Sequence, residues 1–485
     1  MVSEQIAELI AAELPFTLNE EQREAALRLG AFIADPRNER CFALRGYAGT
    51  GKTSLVGALV RVLKKAEISV VLLAPTGRAA KVFSHHAGAP AHTIHRVIYR
   101  QETFKGQDTP FQLAFNKQKH TVYIVDEASM IASGTGAMGN SLFGSGELLD
   151  DLIRYVYEGD GNRLLLVGDT AQLPPVGEDE SPALQRDVLL GYGLLVSGIQ
   201  LTQVVRQEEQ SAVLQNATRL RECIAAGHYT ACPSVTFGGE VTNLPGGELL
   251  EALYEAYNDF GTQGTIVVTR SNKQANVYNN GIRSRIFSRE EVLTRGDLIM
   301  AVKNNYYWMA QKNATDSSHS GGKGAFIANG DVAEVVCFHN EHEQYGFHFA
   351  DATLCFPDYD DMEVDCRILL DTLQSESPSL TYGQQKQLFE LVMADYAHLR
   401  SKRARLKAVR EDPYYNALQI KYAYAVTCHK AQGGQWPRVF VEQGYVPPEA
   451  HDINYLRWLY TAFTRTTDKL YLINWNTPYP PLRRT

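Results

Sequence analysis

The residues Gly46 to Thr53, GYAGTGKT, have the spacing GxxxxGK[ST] of a phosphate-binding loop. Glycine lets backbone N–H groups curl around a polyphosphate, and a helix starting there adds its positive end. Lys52 supplies a mobile charge for the β- and γ-phosphates, and the Thr53 hydroxyl can reach Mg²⁺. Downstream, the apolar run VYIV ends in Asp126–Glu127. The aspartate suits the Mg²⁺ shell, and the glutamate can orient and deprotonate a water. Alone, an Asp-Glu pair is usually a solvated turn, but a phosphate loop upstream changes its meaning. A third run ends in GDTAQLPPVG, where Gln172 is placed to sense a γ-phosphate; as a bland alternative it is the polar residue of a Pro-stiffened turn. Phosphoryl transfer also needs cations on the developing charge. Arg206 in LTQVVRQ and Arg465 in YTAFTRT are the candidates, although either one alone would more often be a surface arginine. The chemistry these residues can do together is Mg²⁺-dependent ATP hydrolysis.

Other loops read as contacts to a polyanionic backbone. APTGRAAK (74–81), AHTIHR (91–96) and VTCHKAQGG (426–434) combine short hydroxyls, amides and helix starts. Such groups hold phosphates and position a strand without reading its bases. The histidine pairs 92/95 and 339/342 lack a third or fourth ligand nearby in sequence, which argues against a metal site.

These loops need strands to carry them. Short β-rich runs at Cys41–Leu44, Val70–Ala74, Val122–Val125, Leu164–Val167, Thr265–Val268, Val439–Glu442 and Leu470–Ile473 are nearly continuously apolar, as strands buried on both faces of a parallel sheet are. Between the first two, Leu55, Val56, Leu59, Val60 and Leu63 share one helical face. Strand–helix–strand units define an α/β class, and the runs fall into two groups, before about 200 and after about 265. Residues 96–119 are polar and turn-rich, an expected small insertion in the first domain. Residues 331–414 begin with alternating strand-like segments and end in a helical stretch, Tyr382 to Val409, an expected barrel-like insertion with a helical arm.

Composition bounds the rest. The 485 residues are 44% apolar and 21% charged, ordinary for a globular chain of two to four domains. No apolar run approaches the roughly 20 residues of a membrane span, and the early glutamates of MVSEQIAELIAAELPF do not fit a secretory leader. The seven scattered cysteines form no CxxC pair, so a reduced, cytoplasmic chain is expected. Net charge is −8, which does not exclude nucleic acid, because phosphates are neutralised contact by contact in a local groove.

In this order, the motifs resemble those of superfamily 1 helicases of the 5′→3′ class, the RecD-like and phage Dda-like enzymes. The resemblance runs from NEEQREA (19–25) to YTAFTRT and includes APTGRAAK, GDTAQLPPVG, LTQVVRQ, GDLIMAVKNNY with NGD at 329–331, and VTCHKAQGG. It implies two RecA-like motor domains. Domain 1A would take 1–90 and 120–200, with a pin-bearing insertion 1B at 91–119. Domain 2A would take 201–330 and 415–485, with an SH3-like β-barrel insertion 2B and helical arm at 331–414. Gln22 would read the adenine edge. Gly46, Gly49, Thr50, Gly51, Lys52, Thr53 and Gly433 would line the ATP, with Thr53 and Asp126 on Mg²⁺. Glu127 would be the base, Gln172 the γ-phosphate sensor, and Arg206 and Arg465 arginine fingers. Thr76, His92, Thr93, Thr427 and His429 would lie along single-stranded DNA. Phe104, Phe111 and Phe115 are candidates for the strand-separating pin, with buried core aromatics the equal alternative. The basic cluster Arg400, Lys402, Arg403, Arg405 and Lys407 reads as a solvated helix face or a DNA-facing patch. The implied partners are single-stranded DNA and single-strand/duplex junctions, with replication, recombination or repair proteins beyond them, and the working unit is expected to be a monomer without a membrane. A translocase that displaces proteins without unwinding, a non-catalytic binding subunit and an RNA substrate stay open at this point.

Overall fold

The computed structural model describes residues 2–100, 112–134, 147–205, 211–230, 235–315 and 326–475. Its first sheet has six parallel strands in the order Ala91–Thr93, Val70–Ala74, Val122–Val125, Arg163–Gly168, Arg40–Gly46, Leu195–Leu201. The second has five, also parallel: Ala425–Thr427, Thr265–Thr269, Trp436–Glu442, Thr466–Ile473, Val241–Leu244. All seven expected apolar runs lie within strands of these sheets. Helices cover both faces of the first sheet. Phe42, Leu44, Leu55, Leu59 and Leu165 fill one core layer, and Cys41, Leu152, Leu164 and Leu166 the other. This alternation is what a strand buried on both sides must show.

A closed five-stranded barrel is built from Leu298–Ala301, Val332–Gln344, Phe347–Phe356, Met362–Leu369 and Leu418–Tyr422. Closure pairs Met300 with Lys421, so the barrel draws its first and last strands from outside the expected 331–414. The segments LIMA and LQIKY are too short to announce which sheet they join. The 91–119 expectation also narrows, because Ala91–Thr93 is the edge strand of the first sheet, with His92 opposite Leu73. Beyond that strand the chain forms a short helix, Ile94–Ile98, and a hairpin of Tyr99–Arg100 with Gln112–Leu113.

The expected helix from Tyr382 to Val409 is two helices, Tyr382–Asp395 and Lys402–Arg410. The break has identifiable causes. The Tyr396 hydroxyl donates to Asp412 Oδ2 (2.9 Å), and Ser401 caps the second helix by accepting the Ala404 N–H (3.0 Å). A serine at the cap satisfies an N–H that a continuous helix would have used internally. Among the described residues, no helix is long and apolar enough to cross a membrane.

Candidate nucleotide site and nucleic-acid interface

Strand Arg40–Gly46 runs through the Gly-rich loop into helix Lys52–Lys65. Gly51, at the helix start, has φ 81°, and a Cβ there would stand 2.6 Å from Gln22 Nε2. Only glycine meets both demands. Gln22 is itself locked: its N–H donates to Asn19 Oδ1 (2.8 Å), its Oε1 accepts the Asn19 N–H (3.1 Å), and its Nε2 donates to the Thr50 carbonyl (3.0 Å). In this conformation the side chain expected at the adenine edge braces the loop, with both ends of its amide engaged. Lys52 Nζ and Thr50 Oγ1 both donate to the Tyr47 carbonyl at 2.8 Å.

Asp126 and Glu127 follow strand Val122–Val125, and Glu127 is held at φ 51°. A left-handed conformation costs a non-glycine residue about 1 kcal/mol, and here it is fixed by the Glu127 N–H donating to Asp126 Oδ1 (2.9 Å). Burial pushes the Glu127 carboxyl up to about 7; Arg465 and Lys52 pull against that rise, while Asp126 and Asp169 add to it. Burial also raises Asp126, opposed by the Glu127 N–H and Lys52. The Thr53 hydroxyl and the Asp126 carboxyl are hard-oxygen donors of the kind Mg²⁺ takes, and a raised carboxyl is one that gains from a cation.

The second sheet completes this site. Tyr460, fully buried on helix Ile453–Phe463, accepts the Ala48 N–H (2.8 Å) and donates to Asp169 Oδ2 (2.6 Å). Asp169 Oδ1 accepts the Ala171 N–H (2.9 Å). Thr461 Oγ1 accepts the Leu173 N–H (2.9 Å), and Gln432 Nε2 donates to the Leu173 carbonyl (2.8 Å) and to Gln172 Oε1 (3.4 Å). Arg465 is nine-tenths buried and bound by the Thr461 carbonyl (2.9 Å), the Gly434 carbonyl (3.3 Å) and Thr464 Oγ1 (3.1 Å). From there its charge is the main one stabilising ionised Glu127. Lys52, Glu127, Gln172 and Arg465 therefore meet at one interdomain seam. Arg206 lies outside the described residues, as do Phe104 and Phe111.

An AAA-domain family model matches residues 17–231, and a UvrD-like helicase C-terminal domain matches 422–473. These two segments carry the two halves of the seam. The chain therefore carries an AAA domain followed by a UvrD-like helicase C-terminal domain. It is 34% identical over 182 residues to an ATP-dependent RecD2 DNA helicase of Deinococcus radiodurans, a match covering 37% of this chain and 21% of that protein. The chain thus spans about a fifth of that relative. An uncharacterized protein of Acanthamoeba polyphaga mimivirus is 22% identical, with 93% of this chain and 99% of that protein covered. A solved structure of two coordinating Pif1 helicases at forked double-stranded DNA is similar at 16% identity and a TM-score of 0.46, covering 94% and 92% of the two chains.

In this chain the backbone-contacting candidates gather around the start of helix Gly77–Ala87. Thr76 caps that helix by accepting the Ala79 N–H (3.2 Å), and Thr93 caps the next one by accepting the Arg96 N–H (3.3 Å). Thr76 and His429 line one cavity of about 230 Å³ together with Arg78, Lys430 and Trp436. His92 and Thr93 line a larger one of about 890 Å³, between helix Gly77–Ala87 and the barrel, with Lys81, Arg96 and Lys312. Thr427 lines neither and is half-buried at the start of Cys428–Ala431. Gly433, expected at the nucleotide, is packed instead beside the DNA-side candidates: a Cβ there would meet Ala79 Cβ at 3.0 Å and Thr76 Oγ1 at 3.5 Å. Its place is set by close approach of the two domains. Phe115 is 65% exposed beside the hairpin and so is not a core aromatic.

Sequence reasoning did not single out Tyr460, Asp169 or Arg78. Arg78 leaves the first domain to cap the second. Its Nη2 donates to the Gln263 carbonyl (3.3 Å) and its guanidinium lies 4.6 Å from the Trp436 ring centre. Tyr460 had a signal, a tyrosine five residues before Arg465 in an otherwise apolar run, but its meaning needs Ala48 and Asp169 beside it.

Proposed function

We propose that the chain is an ATP-driven DNA helicase that moves 5′→3′ along single-stranded DNA and separates duplex ahead of it. The observation carrying this reading is the seam: loops of the first sheet are hydrogen-bonded by Tyr460, Thr461 and Gln432 of the second. A chemical event at Lys52 and Glu127 is thereby tied to the relative position of two domains. The same two domains present Thr76 and His429 to one cavity. Mg²⁺, when held by Thr53 and Asp126, would offset charge on the β- and γ-phosphates. Lys52 binds those phosphates, Glu127 accepts the proton of the attacking water, and Arg465 stabilises the negative charge that develops. Gln172 relays loss of the γ-phosphate through its contact with Gln432. Alternating closure and release of the seam would shift the grip of the Thr76 and His429 loops by about one nucleotide. Opening a base-pair step costs about 1.4 kcal/mol, so a wedge carried by the motor suffices.

The test is ATP hydrolysis by Glu127→Gln with and without single-stranded DNA. We expect a loss of roughly 10²–10⁴-fold in DNA-stimulated turnover, and turnover near wild type would remove the catalytic assignment. A dye at either end of a single strand then reads polarity, with arrival at the 3′ end expected. Phe115→Ala should lose unwinding and keep ATPase if that ring is the wedge. An unchanged unwinding rate would move the wedge elsewhere.

A further inference from the structure

Beside Gln172 lies a cavity of about 550 Å³ whose lining includes three arginines, Arg45, Arg186 and Arg457. Arg45 reaches it from strand Arg40–Gly46, directly before the phosphate loop. Arg457 reaches it from helix Ile453–Phe463, one turn before Tyr460, and is only 7% exposed. Arg457 Nη1 donates to the Asp179 carbonyl (2.5 Å), but its Nε and that of Arg45 are buried with no hydrogen-bond partner. Neither arginine forms an ion pair with a carboxylate among the described residues. Burial holds Arg457 below its ordinary value, with Glu180 as the main opposing charge. The hydroxyls of Thr170 and Ser181 and the amide of Gln172 complete the wall, while Glu180, Arg186 and Asp187 are exposed at the rim.

Buried guanidinium nitrogens left without a hydrogen-bond partner are costly, and a guanidinium fork matches a phosphate oxygen pair in geometry as well as charge. We propose that this cavity is a binding site for inorganic phosphate, the product of hydrolysis, held between Arg45 and Arg457 before it leaves past Arg186. The inference rests on the ATP-hydrolysis reading above and adds a product site to it. Its position has a mechanical consequence. Arg45 belongs to the first sheet and Arg457 to the second domain, so a phosphate bound to both keeps the seam closed after the γ-phosphate has been cut. Departure of the phosphate, rather than its cleavage, would then release the domains.

The experiment is equilibrium dialysis of labelled inorganic phosphate against the full chain saturated with MgADP. Wild type should bind phosphate, and Arg45→Gln should weaken it by about tenfold or more with ADP affinity unchanged. Arg186→Glu, at an exposed position where folding is safe, should weaken phosphate by a few-fold. If ADP itself does not bind, the nucleotide reading fails. If ADP binds but wild type and both variants hold phosphate equally, or wild type holds none, the cavity assignment alone is overturned. A DNA backbone phosphate is the other source of this chemistry, so oligothymidylate binding is measured alongside. Weaker oligothymidylate binding in Arg45→Gln, with phosphate binding intact, would also overturn the proposal.

Discussion

Two regions of this molecule bury charge in opposite ways. Near the barrel, Asp297 is fully buried and closed on every side. Arg283 Nε and Nη2 donate to it at 3.0 and 2.9 Å, Arg289 Nη1 at 2.9 Å, the Thr294 N–H at 2.7 Å and the Tyr424 hydroxyl at 3.0 Å. The hydrogen bonds and the Arg283 charge outweigh burial, and the carboxyl is lowered. At the nucleotide seam the order reverses: burial outweighs the neighbours, so Glu127 is raised to about 7 and Asp126 is raised as well, while Arg45 and Arg457 keep unpartnered nitrogens. A closed cluster holds shape. An open one keeps charge available for something that comes and goes, and perturbed carboxyls in a cleft are where chemistry is expected.

The sharpest test of the difference is to remove one charge from each. Arg465→Gln should cost roughly 10³–10⁵-fold in DNA-stimulated ATP turnover while its thermal midpoint stays close to wild type. A large fall in midpoint with modest loss of turnover would place Arg465 with the structural cluster. Asp297→Ala should do the opposite, destabilising by about 3–5 kcal/mol because the buried Arg283 and the half-buried Arg289 lose their partner. Denaturant unfolding measures that loss, and a change under about 1 kcal/mol would show that the cluster is not closed.

Protonation separates the regions next. Glu127 must be ionised to accept a proton, so kcat should rise through pH 7 and fall about tenfold per pH unit below it. A flat profile between pH 6 and 8 would contradict the raised carboxyl. The stability effect has the matching sign. The folded chain holds this proton more tightly than the unfolded one, so the contribution of Glu127 to stability falls as pH rises from 4.5 to about 7. Glu127→Gln should abolish that slope. The smallest expected effect is Tyr460→Phe, which leaves the Ala48 N–H and Asp169 without their shared partner. A neutral hydrogen bond is worth about 1 kcal/mol, so a rise of a few-fold in the KM for ATP is expected with the fold intact. An unchanged KM would reduce the bridge to packing.

How much of this is readable in the sequence depends on whether meaning is local. Lys52, Thr53, Asp126 and Glu127 carry their chemistry in short spacings beside apolar strands, and those strands declare themselves because both faces are covered. The edge strand Leu195–Leu201 does not, since LVSGIQL has half-exposed positions and a glycine. That glycine is explained only in the fold, where a Cβ at Gly198 would stand 2.4 Å from the Ala43 carbonyl oxygen. The barrel is visible in its three long strands and not in its closing pair, where the register partners Met300 and Lys421 are far apart in the chain. The resemblance assigns Gly433 to the nucleotide, whereas its neighbours in space include Ala79 and Thr76. Tyr460 escapes a sequence reading for the same reason: its two partners come from different loops, and Ala48 is 412 residues away.

That last distance bears on modularity. The first sheet holds every residue of the phosphate loop, yet the Ala48 N–H, the Asp169 carboxylate and the Leu173 N–H and carbonyl are satisfied by Tyr460, Thr461 and Gln432. A fragment ending at residue 231 would present those groups to water and lose Arg465 with them. The first domain is therefore not a transplantable ATPase, and swapping it between relatives should succeed only when helix Ile453–Phe463 travels with it.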